Sequence, residues 1–157
     1  MKASDVLKYG HRTVLGSIDG MLEAWWDVPG ACGVWSIKDI IAHLASYEHV
    51  LVDVLSGFVD GGPTPYLEKF KGADFNDTQV ATRTAMSARE VVDEYTTTHE
   101  RVMALLARIS PDTLRRPGTL PWYGNEYAVD DYLVYAFYGH KREHTAQIAV
   151  MRDRLKQ

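Results

Sequence analysis

His140 and His144 are four residues apart. On a helix that spacing puts two imidazoles on one face, about 5–6 Å apart at Cβ. Two imidazoles so placed suit a single metal ion. Both fall on an apolar stripe, Leu133, Phe137, His140, His144, Ile148, Met151 and Leu155, where Leu or Ile is the ordinary occupant. An imidazole buried there without a partner costs about 1–3 kcal/mol, and a shared cation would remove that cost. His43 is the natural third ligand. It lies about 60° from Ile40 and about 40° from Tyr47 around its own helical pattern, at the edge of the apolar stripe. Three histidines without a fourth protein ligand leave a coordination position open, the mark of a catalytic rather than a structural site.

Other residues can serve these three. Gln147, three residues after His144, lies near the same face. Glu143 points about 100° away from His144 and is the weaker candidate. Asp39, one turn before His43, is placed either to orient the second His43 nitrogen or to cap its helix. Tyr47, one turn after His43, is placed at a pocket mouth. His11 also falls on an apolar stripe and could line the pocket, although packing or a hydrogen bond accounts for it better. His49 and His99 read as solvent-facing. The stretch holding Trp122, Tyr123, Tyr127, Tyr132, Tyr135 and Tyr138 reads equally as a pocket wall or a dimer face.

Four long helical patterns must carry these groups. The first runs from about Ser4, a possible cap, to Trp26. Its glycines, Gly10, Gly16 and Gly20, weaken it but also allow close approach of another helix. The second runs from Ser36 to about Val59, opening on the capping-box-like Ser36-Ile37-Lys38-Asp39. The third runs from Ser87 to Ile109, behind the capping box Ser87-Ala88-Arg89-Glu90, with a further short turn through Leu114. The fourth runs from Val129 to Leu155. No strand pattern is convincing. Residues 60–86 are too many for a bare loop, and a short helix is expected near Asp77–Thr84. With a second long connection over 110–128, the expectation is an all-α fold: a four-helix bundle whose long crossovers let sequential helices run parallel.

The chain has 157 residues, 46% apolar and 24% charged, which is one globular domain over residues 1–157 rather than a disordered chain. A lone cysteine, Cys32, excludes an internal disulfide. No apolar run is long enough for a membrane span, and the first residues lack a signal-peptide pattern, so the cytoplasm is the expected location. A net charge of −4 argues against nucleic acid as a partner.

The stretch from Trp35 through His43 and Leu44, with Glu48 beyond, resembles the second-helix signature of the DinB-like superfamily. His140-Lys141-Arg142-Glu143-His144-Thr145-Ala146-Gln147-Ile148 resembles its last-helix signature. The resemblance covers nearly the whole chain. It implies a four-helix bundle of DinB-like topology, often a homodimer, with a divalent metal, zinc or nickel, on His43, His140 and His144. It also implies metal-dependent enzymes: thiol S-transferases, isomerases or hydrolases acting on a small electrophilic molecule, some with a low-molecular-weight thiol such as bacillithiol or mycothiol. The alternatives are a protein that binds or sequesters a small molecule without turnover, and an interaction module in which the histidines have no ligand.

Overall fold

In a computed structural model, which describes residues 2–157, the chain is all-helical. The described residues contain no strand, only an isolated bridge between Cys32 and Trp35. The elements are α1 (Ala3–Ile18), α2 (Ile37–Ser56), α3 (Pro65–Phe70), α4 (Phe75–Ala81), α5 (Ala88–Leu106), α6 (Pro111–Arg115), α7 (Val129–Tyr132) and α8 (His140–Leu155). A π-helical segment, Leu133–Gly139, joins α7 to α8 in one rod.

Local chemistry sets most of the boundaries. Ser36 caps α2 and Ser87 caps α5, each in a reciprocal box with Asp39 or Glu90. The first helix is shorter than its periodicity predicts. It ends at Ile18, ahead of Gly20 at φ +67°, a backbone state that glycine adopts freely. The residues beyond form only a 3-10 turn, Glu23–Trp25. Ser4 lies inside α1 and is not its cap, a place taken by Lys2. The crossover after α2 holds two short helices, α3 and α4, rather than the single one expected. Asp53 of α2 secures the first of them by accepting the Tyr66 and Leu67 backbone N–H groups at 2.7 and 3.1 Å. The fourth rod spans the expected residues, but its middle is π-helical, which the steady four-three spacing did not foretell.

Side-chain pairs fix the helix directions. Along α2 and α5, Lys38 reaches the Met86 carbonyl, His49 meets Glu94, and past the helix ends Asp60 meets Arg108. The two residue numbers rise together, so α2 and α5 are parallel, and the long crossover is what permits it. In the same way Gly10 abuts Lys141 and the Ser17 carbonyl accepts from Arg152, so α1 and α8 are parallel. His43 against His144 and Glu48 against Lys141 set α2 antiparallel to α8.

The core is divided. One apolar cluster holds Leu7, residues 50–52, Val102, Leu105, Leu106 and Phe137. The other holds Val14, Ile37, Ile40, Ile41, Leu44, Val91, Tyr95 and Ile148. Between them each long rod turns polar: His11 on α1, Glu48 on α2, Thr98 and His99 on α5, and His140, Lys141 and His144 on α8. None of the described helices is long and apolar enough to cross a membrane.

The caps are worth a measurable share of stability. Ser36→Ala removes the acceptor for the Asp39 N–H and is expected to cost about 1 kcal/mol. In a thermal melt of a chain this long that is a fall of about 2–4 °C.

Candidate metal centre

His43 comes from the second turn of α2, and His140 and His144 from the first turns of α8. His140 Nε2 stands 2.9 Å from His43 Nε2 and 2.9 Å from His144 Nε2. One ring nitrogen from each histidine lies within 4.8 Å of the others. His43 and His144 are buried and His140 is partly so.

Hydrogen bonds orient two of the rings. Gln147 Oε1 accepts from His144 Nδ1 at 2.8 Å. The Ala136 carbonyl accepts from the His140 ring. With its Nδ1 donating to Gln147, His144 presents Nε2 as a lone pair to His140. Burial, and then the neighbouring His140 and His144, push His43 down from 6.5 to about 3. Burial first, then His144, pushes His140 down to about 4. His144 is lowered as well, chiefly by burial. At neutral pH the cluster is therefore three uncharged imidazoles with converging lone pairs. Such an arrangement repels itself without a cation and suits one well. Nitrogens about 2.0–2.1 Å from a shared tetrahedral ion stand about 3.3 Å apart, a few tenths of an ångström wider than these. The donor set fits a divalent metal with one position to spare.

Aromatic rings wall the cluster. The Tyr47 ring centroid lies 4.7 Å from that of His43 and 4.5 Å from that of His140. Trp35 lies 4.9 Å from His43. Phe70 and Phe75, at the end of α3 and the start of α4, pack on Tyr47 at 5.4 and 6.1 Å. Burial raises the Tyr47 hydroxyl above its ordinary pKa, against a hydrogen bond from Asn76, so it remains a proton donor at neutral pH.

The structure decides between alternatives the sequence left open and corrects other readings. Asp39 does not orient His43. Its carboxylate accepts the Ser36 N–H at 2.9 Å in the helix cap, and His43 Nδ1 is buried without a partner. Glu143 is exposed and touches none of the three rings. His11 does not line this pocket but stacks on His99, centroids 3.9 Å apart. His99 is not solvent-facing: it is 5% exposed, with Nδ1 3.3 Å from Glu48 Oε2. Its place between Tyr95 and Val102 at helical spacing was the signal for burial. His49 is half-buried against Glu94, which Arg83 also engages. The aromatic stretch from Trp122 does not wall the site. Trp122 and Tyr123 pack on Tyr132 with centroids 5.3 and 5.0 Å apart, while Tyr135 faces solvent. A cavity of about 430 Å³ lies elsewhere, where α1 begins and α5 ends. It brings together no set of histidines, so the ligand cluster and not cavity size marks the candidate site.

A bundle of parallel pairs with three inward histidines on its second and last long helices defines a class of protein. The sequence profile of the DinB superfamily matches residues 7–148, and the chain belongs to that family. No curated protein and no solved structure matches it.

The lowered histidines make stability depend on pH. The unfolded chain takes up protons on His43, His140 and His11 near pH 6.5, whereas the folded chain does so only near pH 3–4. The native state binds fewer protons in that window, so stability is complete above 6.5 and falls as pH drops toward 4. The melting temperature of metal-free protein is expected to decline between pH 7 and 5. Glu48 and Glu94 are both held at about 2 and act only below that window. A flat melting profile across it would contradict three neutral imidazoles.

Proposed function

We propose that this protein is a metal-dependent enzyme whose centre is one divalent ion, zinc or nickel, held by His43, His140 and His144. Its reaction is transfer of a low-molecular-weight thiol to a small electrophilic molecule, or hydrolysis of one. The observation that carries this reading is the convergence of three Nε2 atoms, with the His144 ring oriented by Gln147 at its far nitrogen. Bound there, a divalent ion supplies Lewis acidity, lowering the pKa of a thiol or a water in its open position or polarising a carbonyl.

The chain's own residues account for the rest. Gln147 holds the His144 ring in the tautomer that offers Nε2. Trp35, Tyr47, Phe70 and Phe75 form an apolar wall suited to the body of a small electrophile and exclude bulk water from one side. The Tyr47 ring packs on His43 and His140, and its hydroxyl is the donor we assign to a negative charge developing on the substrate. Exposed Tyr9, Trp122 and Tyr135 supply the kind of surface a second copy would cover, and we place the expected homodimer with this proposal.

Elemental analysis of untagged protein tests the reading. About one divalent ion per chain is expected, lost in His43→Ala, His140→Ala and His144→Ala while the fold is kept. Gln147→Leu is expected to weaken binding by about 10–100-fold, the usual effect of removing a hydrogen-bond partner behind a metal ligand. Metal-loaded protein is then mixed with thiols and generic electrophiles. Product formation lost in Tyr47→Phe places that hydroxyl in the reaction. A bound ligand without any product favours sequestration. Failure to take up zinc or nickel would sink the proposal.

A further inference from the structure

Behind the histidines, on the opposite side of the contact between α2 and α8, lies a buried ion pair that metal binding does not use. Glu48 is fully buried and Lys141 is 2% exposed, and Lys141 Nζ meets Glu48 Oε1. Each partner is held by another helix. His99 of α5 lies 3.3 Å from the second Glu48 oxygen. The Lys141 stem crosses α1 at Gly10, where an added Cβ would stand only 3.4 Å from Lys141 Cδ. Its ammonium lies 5.3 Å from the centre of the Tyr95 ring. A lysine so confined is not a loose tether.

We propose that the Glu48–Lys141 ion pair is a positioning device for the three-histidine centre, setting the rotation of α8 about its own axis so that His140 and His144 meet His43. The proposal rests on the metal-centre reading and goes beyond it to residues that touch no ligand.

Helix geometry carries the argument. Adjacent residues on a helix diverge by about 100°, so wherever Lys141 is fixed, the direction of His140 is fixed with it. Both contacts join the same two helices: Glu48 with Lys141 on one side, His43 with His140 on the other. The segment before α8 makes such an anchor necessary. Leu133–Gly139 is π-helical, and its wider turns mean that α8 does not continue the rotational phase of α7. Something past Gly139 must set that phase, and Lys141 is the second residue beyond it. A buried ion pair is also a poor way to gain stability, since apolar residues of similar size commonly do as well. Its worth here lies in direction.

The test uses the full chain and measures cobalt(II) and zinc(II) affinity by competition with a chromophoric chelator. The visible spectrum of bound cobalt is recorded beside it as a report on ligand geometry. The double variant Glu48→Met/Lys141→Met removes both charges at nearly constant volume. It is expected to melt close to the unaltered protein yet bind metal at least about tenfold more weakly, as other supports behind metal ligands do, with an altered cobalt spectrum. Lys141→Arg, which keeps the pair, is expected to restore part of the affinity. If that double variant does not fold, Glu48→Gln/Lys141→Met, which also leaves no unpaired charge and keeps a polar partner for His99, carries the same comparison. Unaltered affinity and spectrum in a folded variant lacking the pair would overturn the positioning role and leave the metal centre standing. An unaltered chain that binds neither ion would instead overturn the metal centre itself, and this role with it.

Discussion

Charge taken into the middle of a helical bundle has to be met there, and Glu48 and Lys141 meet it for each other. Burial by itself would raise the Glu48 carboxyl, but Lys141, with His99 behind it, overrides that and holds the carboxyl low. The carboxylate therefore stays charged at neutral and mildly acidic pH. Removing either partner would leave an uncompensated charge among apolar side chains, a loss of about 3–5 kcal/mol. The bundle must then be assembled so that α2 and α8 face each other at one height and one rotation. Much else follows. α1 must bring a glycine where the lysine stem passes, α5 must bring an imidazole to the second carboxylate oxygen, and the three histidines are carried to a common point.

The polar layer also explains why the core comes in two parts. Apolar clusters above and below it, built around Leu51 and Leu55 at one end and Ile40, Ile41 and Leu44 at the other, supply the cohesion. Burying one such side chain contributes about 1.5–3 kcal/mol. The layer between contributes little net stability and much specificity. A slip of α8 by one turn would take Lys141 off Glu48 toward an apolar cluster and bring Phe137 or Thr145 to the carboxylate in its place. Two apolar clusters divided by a charged layer thus admit one register where a uniform core would admit several.

The histidine cluster is related to that layer and yet chemically distinct. His11 and His99 stack against each other, and the Nδ1 of each is engaged inside the protein, by Tyr95 and by Glu48. His43, His140 and His144 direct Nε2 at one another and spend their outer nitrogens, where they have partners, on the backbone and on Gln147. The same residue type thus serves as packing in one half of the layer and as a ligand set in the other. Partners, not burial, separate the two roles, for burial pushes His11 toward the neutral form just as it does His43 and His140.

What the sequence determined by itself was local or periodic. Ser36 and Ser87 announced their helices because a cap is a contact between residues three apart. Two histidines four apart on an apolar stripe announced a shared face because helix geometry alone puts them there. The long crossover over residues 60–86 announced parallel neighbours because a short loop cannot join them. The tertiary structure decided what depends on which side of a helix meets which neighbour. His99 read as a surface residue, and only the opposing Glu48, with Lys141 beside it, makes its burial tolerable. The π-helical turn before His140 left no mark in the four-three spacing, because its wider turns are held by packing against α1 rather than by residue propensity. His11 and His43 lie at similar places on apolar stripes. Only the neighbours they meet separate them: His99 of α5 makes His11 a stacking partner, and His140 and His144 of α8 make His43 one of a converging set.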